Sequence, residues 1–312
     1  GSTAIQELAF TLADGFTYVE HGIKAGLDVD SFAPRISFFF NSHLDFFEEI
    51  AKYRAARRIW ARTLKEKYKA KNERSMMLRF HTQTAGCSLT AQQPEINIAR
   101  TSFQALAAVL GGTQSLHTNS MDETIALPSE KAAEIALRTQ QLLAYETGVA
   151  NVVDPLGGSW FMEKLTDEIE NKTEEYFSEI NNLGGVISAI EQGYQQKEIS
   201  KSASVYQDKI DNNKRIVVGV NNFINDQQNI DIPILKIDSR AEQNQIEKLK
   251  QIKNNRDPKE VKRSLNNIKK ACKNGDNLVP LIISSAKAYC TLGEIVYTMK
   301  TEFGEWQESS FF

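Results

Sequence analysis

Two stretches of this 312-residue chain concentrate the side chains able to do chemistry. Arg79-Phe-His-Thr-Gln-Thr-Ala-Gly86 carries His81 and Gln83. Leu110-Gly-Gly-Thr-Gln-Ser-Leu-His-Thr-Asn-Ser-Met-Asp-Glu123 carries Ser115, His117, Asn119 and Glu123. Two imidazoles without a closely spaced third ligand make a poor metal site. A hydrolytic nucleophile fits no better: there is no Gly-x-Ser-x-Gly, and Cys87 has no evident base. Neutral amides beside the small residues Ala85, Gly86, Gly111 and Gly112 suit the close approach of a large planar group. The same glycines serve equally well in tight turns, and either histidine serves equally well as a hydrogen-bonded structural residue.

The elements that must position these residues read as strand, polar turn and helix in repetition, the grammar of parallel α/β architecture. Apolar residues at three- and four-residue steps predict helices over 4–27 and from His43 to Tyr68, and further helical patterns run over 98–110 and 129–145. Strands are expected at Pro34–Phe40, Met76–Phe80 and up to His117. Arg35 and Ser37 alternate with Ile36 and Phe38 in the first, where a buried charge would need a partner. Three strand–helix units amount to part of a (β/α)8 barrel, whose ligand contacts come from the carboxyl ends of the strands. After Gly148 the character changes. Asp154-Pro-Leu-Gly-Gly-Ser159 is turn-rich, residues 160–212 read as helices broken at Gly184-Gly185 and Gly193, and Ile216–Val220 as a short strand. Asn221 to Asp231 reads as a loop, and 239–273 as a charged helical pair interrupted at Asp257-Pro258. The apolar segment 278–283 and a helix over 292–299 close the chain. The expected division is a partial barrel over 1–150 and a mostly helical linker region over 151–312.

At 41% hydrophobic and 25% charged the composition is that of a globular protein able to bury a core. A net charge of -3 argues against nucleic acid or an anionic membrane surface as partner. Three widely spaced cysteines read as reduced thiols, which implies a cytoplasmic location. The chain starts without Met, inside a helical pattern, as a fragment or a split subunit would.

The two key stretches, together with Asp154-Pro-Leu-Gly-Gly-Ser159, resemble the catalytic subunit of the methylmalonyl-CoA mutase family, and the similarity runs from Gly1 to about Gly304. The resemblance implies the carboxyl part of a TIM barrel and an adenosylcobalamin-dependent radical rearrangement interconverting methylmalonyl-CoA and succinyl-CoA. By matching positions, Arg35, Ser37 and Ser115 would contact the acyl-CoA. Gln83, Gly86, Asn119, Glu123 and Ala126 would contact the coenzyme, and His81 and Gln83 would form the catalytic pair, His81 by positioning. The family's Asp-x-His-x-x-Gly motif, whose histidine binds cobalt, is absent, as are the first five strands. The implied partners are therefore the amino-terminal barrel half and a cobalamin-binding domain or subunit. Open strand edges suggest an oligomer, and the chain alone is expected to be inactive. A non-catalytic barrel subunit of such a mutase is the alternative.

Overall fold

The computed structural model describes residues 1–225 and 232–308, so the loop expected at 221–231 lies partly outside the described residues. The chain divides into two compact units near residue 235.

In the first unit α1 (Ala4–Lys24) opens with a capping box in which Thr3 and Gln6 satisfy each other's backbone N–H groups. It is followed by α2 (Val29–Phe32), β1 (Phe38–Ser42), α3 (Phe46–Glu66), α4 (Glu73–Met76), β2 (Phe80–Thr84), α5 (Ile96–Leu110), β3 (Ser115–His117) and α6 (Glu130–Tyr145). Helices α7 (Trp160–Asn182), α8 (Val186–Glu191) and α9 (Tyr194–Asp211) complete it. The strands form one parallel sheet in the order β1-β2-β3. This mixed architecture with a small parallel sheet is of the α/β kind.

Alternation along the strands decides which side chains pack. Phe38, Phe40, Phe80, Thr82 and Thr84 are buried in a core with Leu8 and Leu12 of α1 and Ile50, Tyr53, Trp60 and Leu64 of α3. Aromatic geometry ties it together: Phe38 meets Trp60 edge-on at 4.9 Å and Tyr53 stacks on Phe80 at 5.1 Å. The opposite sheet face carries Phe39, Asn41, His81, Gln83, Ser115 and His117, all half-buried or exposed.

Helix α3 also binds α7. Arg54, Arg58 and Arg62, four residues apart, stand on one stripe. Arg54 pairs with Asp154 at 3.0 Å and Glu163 at 2.6 Å, Arg58 with Asp167 at 2.8 Å, and Arg62 with Glu170 and, at 2.7 Å, with Glu174. The turn Asp154-Pro-Leu-Gly-Gly-Ser159 is thus held by Arg54, and Ser159 caps α7.

Several elements depart from the sequence reading. Ala33-Pro34-Arg35 forms a 3-10 turn, so β1 begins at Phe38 and Arg35 stays exposed outside it. Met76 ends α4 instead of opening a strand. Asn72 caps that helix locally, and the distant Asp30 carboxylate accepts from Lys71 N, Asn72 N and Ser75 Oγ, so that together these bonds outcompete extended backbone. Ile216–Val220 is a turn with a single bridge, because the Asn221 side chain takes the hydrogen bonds of Val217 N, Ile210 O and Arg215 O. The breaks at Gly184-Gly185 and Gly193 separate α7, α8 and α9 as expected.

The second unit holds α10 (Ser239–Asn255), α11 (Pro258–Asn274), α12 (Val279–Lys287) and α13 (Leu292–Phe303). Val261, Ile268, Cys272, Cys290 and Ile295 form its core. Asp257 caps α11 with Pro258 in the first turn. Arg256 grips Glu294 with two bonds, 2.7 and 2.5 Å, and Glu294 closes a capping box with Thr291. All three cysteines are free. Among the described residues no helix is long and apolar enough to cross a membrane.

A buried charge cluster closes the carboxyl end of β1. Phe38 N–H donates to Arg79 O and Ser42 O accepts from Ala85 N–H, both toward β2, so alternation turns the backbone groups of Asn41 to the outer sheet edge. There Glu7 Oε1 accepts from Asn41 N at 2.6 Å, while Lys52 Nζ and Tyr53 OH donate to Asn41 O at 2.9 and 2.5 Å. Lys52 is fully buried and also donates to Glu7 at 2.5 Å and Glu49 at 2.6 Å. Burial disfavours its charge, but Glu49 and Glu7 outweigh that and hold its pKa above the ordinary lysine value.

Lys52→Met is expected to destabilise the protein by roughly 3–5 kcal/mol in urea unfolding, since it leaves Glu49 buried and unpaired. Lys52→Met with Glu49→Met should recover most of that loss, and strict additivity would refute the account. Glu294 gives a pH test. The hydrogen bond from Arg256 is the main cause that lowers its pKa from 4.5 to about 2. Its contribution is present above the unfolded value and is lost as pH falls from 4.5 through about 2. Hydrogen exchange in α13 should therefore accelerate across that window, and Glu294→Gln should remove the dependence.

Candidate functional site

The open face of the sheet orders the candidate residues in cross-strand rows. Phe39 is level with His81 and His81 with Ser115; Asn41 is level with Gln83 and Gln83 with His117. In the first row His81 Nδ1 lies 2.6 Å from Ser115 Oγ, and the Phe39 and His81 rings are 5.3 Å apart. In the second row the Gln83 and His117 side chains make no hydrogen bond to any described residue.

Beyond the strand ends the chain builds a second cluster. Asn119 is buried, and its N–H donates to Thr84 Oγ1 at 2.9 Å. Its amide satisfies both ends with Nδ2 donating to Thr84 O (3.0 Å) and Oδ1 accepting from Gly86 N–H (3.3 Å). A Cβ on Gly86 would stand 2.6 Å from that amide and 3.7 Å from Glu123 Cγ, so Gly86, Asn119 and Glu123 lie together. Residues 118–129 are tied down further. Asn97 Nδ2 donates to Met121 O, Thr118 Oγ1 to Ala136 O, and Ser129 N to the buried Asp122 carboxylate, whose backbone oxygen accepts from Ala126 N.

Arg35 and Ser37 stand elsewhere. Both are exposed, precede β1, and make no side-chain hydrogen bond or ion pair with described residues. From Ser37 to the row of Asn41 is about 13 Å at about 3.3 Å per residue. Ser115, the first residue of β3, stands apart from them in the row of Phe39 and His81. The expectation that His81 lies at a strand end is also corrected: it is the second residue of β2, because that strand starts at Phe80.

The sequence reading missed Thr84 and Asp122, which hold Asn119 and Ser129, and the arginine stripe of α3. The spacing Arg54, Arg58, Arg62 opposite acids at 163, 167, 170 and 174 was the available signal. The buried Asn119 amide and Thr84 hydroxyl are spent on each other and on the Gly86 backbone, which leaves the exposed Glu123 carboxylate free to accept from a hydroxyl-bearing ligand. Among the described residues no cluster of His, Cys, Asp and Glu is arranged to hold a metal ion.

Comparison with known proteins accords with these motifs. The methylmalonyl-CoA mutase family model matches residues 1–305. The chain belongs to the methylmalonyl-CoA mutase family. It is 46% identical to the 2-hydroxyisobutanoyl-CoA mutase large subunit of Aquincola tertiaricarbonis, over 100% of this chain and 56% of that protein. It is 44% identical to the mitochondrial methylmalonyl-CoA mutase of Homo sapiens, over 98% of this chain and 41% of the relative. It is also 44% identical to methylmalonyl-CoA mutase of Rhizobium meliloti (strain 1021), over 98% of this chain and 43% of that protein. The chain thus spans about half the length of these family members, or less.

Gly86→Ala tests the cluster. The new methyl group must displace an amide that is buried and bonded on both ends, at a cost of roughly 1–3 kcal/mol. Faster hydrogen exchange at Asn119 N–H is expected with it, and unchanged stability and exchange would refute the packing described.

Proposed function

We propose that this chain is part of an adenosylcobalamin-dependent acyl-CoA mutase that interconverts methylmalonyl-CoA and succinyl-CoA. In this reading residues 1–150 are the last strands and helices of a (β/α)8 barrel, and 151–312 lead toward a cobalamin-binding domain or subunit. An amino-terminal barrel half completes the site in an oligomeric, cytoplasmic protein. The observation that carries the reading is the order of the residues along one open sheet face. Arg35 and Ser37 precede its amino-terminal edge, Ser115 shares the row of His81, Gln83 is in the next row, and Gly86, Asn119 and Glu123 lie beyond its carboxyl end.

Each residue then has a task its chemistry permits. Arg35, exposed and without a side-chain partner among the described residues, binds a phosphate or carboxylate of the acyl-CoA, and Ser37 adds a hydroxyl donor. Ser115 holds the His81 ring through Nδ1, which leaves Nε2 to orient the thioester end. Gln83 offers an amide at the junction of the two ligands. Asn119 fixes the backbone at Gly86 so that a planar group can approach closely. Glu123 accepts from ribose hydroxyls, and Ala126 packs beside it. The coenzyme supplies the radical chemistry that no side chain here can provide, while the protein binds, orients and excludes water.

The test uses the full-length protein that contains this segment. Arg35→Ala should weaken acyl-CoA binding by roughly 1.5–3 kcal/mol, the worth of a charge-assisted hydrogen bond. Glu123→Ala should weaken adenosylcobalamin binding with little effect on acyl-CoA. Gln83→Ala should lower turnover more than it raises the Michaelis constant, as expected for an interaction made mainly in the transition state. If Arg35→Ala spared acyl-CoA while Glu123→Ala abolished its binding, the assignment would be wrong.

A further inference from the structure

Asn41 has a side chain that the packing leaves unused and a backbone that the packing fixes. Asparagine is disfavoured in strands, yet this one has its N–H held by Glu7 and its C=O by Lys52 and Tyr53. Tyr53 and Lys52 are fully buried, and a buried lysine is tolerated only where its partners offset a large desolvation cost. The exposed amide of Asn41 makes no hydrogen bond to any described residue. It stands level with Gln83 on the open face, one strand spacing away, about 4.8 Å. The row below it is different in kind, with Phe39 exposed and packed on His81.

We infer that Asn41 is a specificity-determining residue for the acyl group, hydrogen-bonding a polar oxygen substituent, a carboxylate or a hydroxyl, on the acyl chain of an acyl-CoA. This rests on the acyl-CoA reading of the site. The fixed backbone presets the direction of the amide, so little ordering is needed on binding. Nδ2 donates to either oxygen, and Oδ1 accepts only from a hydroxyl. Phe39 lies one row closer to the amino-terminal side, where it packs against the hydrocarbon part. A plain hydrocarbon branch gains nothing from the amide.

Calorimetric titration of the full-length protein without coenzyme tests this with three ligands: succinyl-CoA, 2-hydroxyisobutyryl-CoA and isobutyryl-CoA. Asn41→Ala is expected to weaken one or both oxygen-bearing ligands about tenfold, the worth of one hydrogen bond, and to leave isobutyryl-CoA unchanged. Loss on succinyl-CoA identifies a carboxylate contact, and loss on 2-hydroxyisobutyryl-CoA a hydroxyl contact. The side chain is exposed, so an unchanged melting curve is the accompanying control. Equal loss on all three ligands, or loss on none, overturns the inference while leaving the acyl-CoA reading intact. If the unsubstituted protein binds none of the three, the acyl-CoA reading falls and this inference falls with it.

Discussion

A parallel sheet is stable when both faces are covered, and the helices described here cover one. Everything else in the first unit follows from that asymmetry. Strand alternation sends Phe38, Phe40 and Phe80 into the aromatic core against α1 and α3. The residues between them, Phe39, Asn41, His81 and Gln83, must then face the other way. Packed and open positions alternate along the same strands, so the register that fills the core also sets the rows of polar and aromatic side chains on the open face. A slip of one residue would exchange the two sets.

Helix α3 carries much of the burden of keeping that register. Its inner face supplies Tyr53 and Trp60 to the core, and its arginine stripe fastens α7 through Glu163, Asp167, Glu170 and Glu174. Lys52 and Tyr53 reach the outer edge of β1 at Asn41. Exposed pairs such as Arg58–Asp167 add little stability each. Lys52–Glu49 is different, because its burial makes the loss of one partner far more costly than the pair is worth. Its effect is to fix where β1 ends.

Much of this was legible in the sequence, and the reasons separate by element. The helices were readable because a period of 3.6 and their caps act locally: α1, α6 and the pair α10 and α11 lie close to their expected limits. Three strands were readable in existence but not in extent, and the one expected at Ile216–Val220 is a turn. Pro34 and Asp30 act through turn geometry and side-chain caps that compete with extended backbone, and those competitors are decided by residues far along the chain. The motifs that carry the candidate residues were legible as sequence. What holds them was not, since Thr84 reaches Asn119 across 35 positions and Asn97 reaches Met121 across 24.

The two ends of the open face are built to different standards of rigidity, and that difference is itself chemical. At the carboxyl end Asn119, Asp122 and Ser129 are buried and bonded to each other's backbone or to Thr84, so the backbone beside Gly86 and Glu123 follows a set path. Such preorganisation benefits a rigid ligand whose functional groups have fixed spacing. At the amino-terminal side Arg35 and Ser37 project from a turn with no side-chain bonds to described residues. An arginine without described partners keeps its full hydrogen-bonding capacity open. His81 and Gln83 sit where the two regimes meet, half-buried in β2 with their backbone in the sheet. Their backbone is held on both sides by strand pairing, a constraint that the residues before β1 lack.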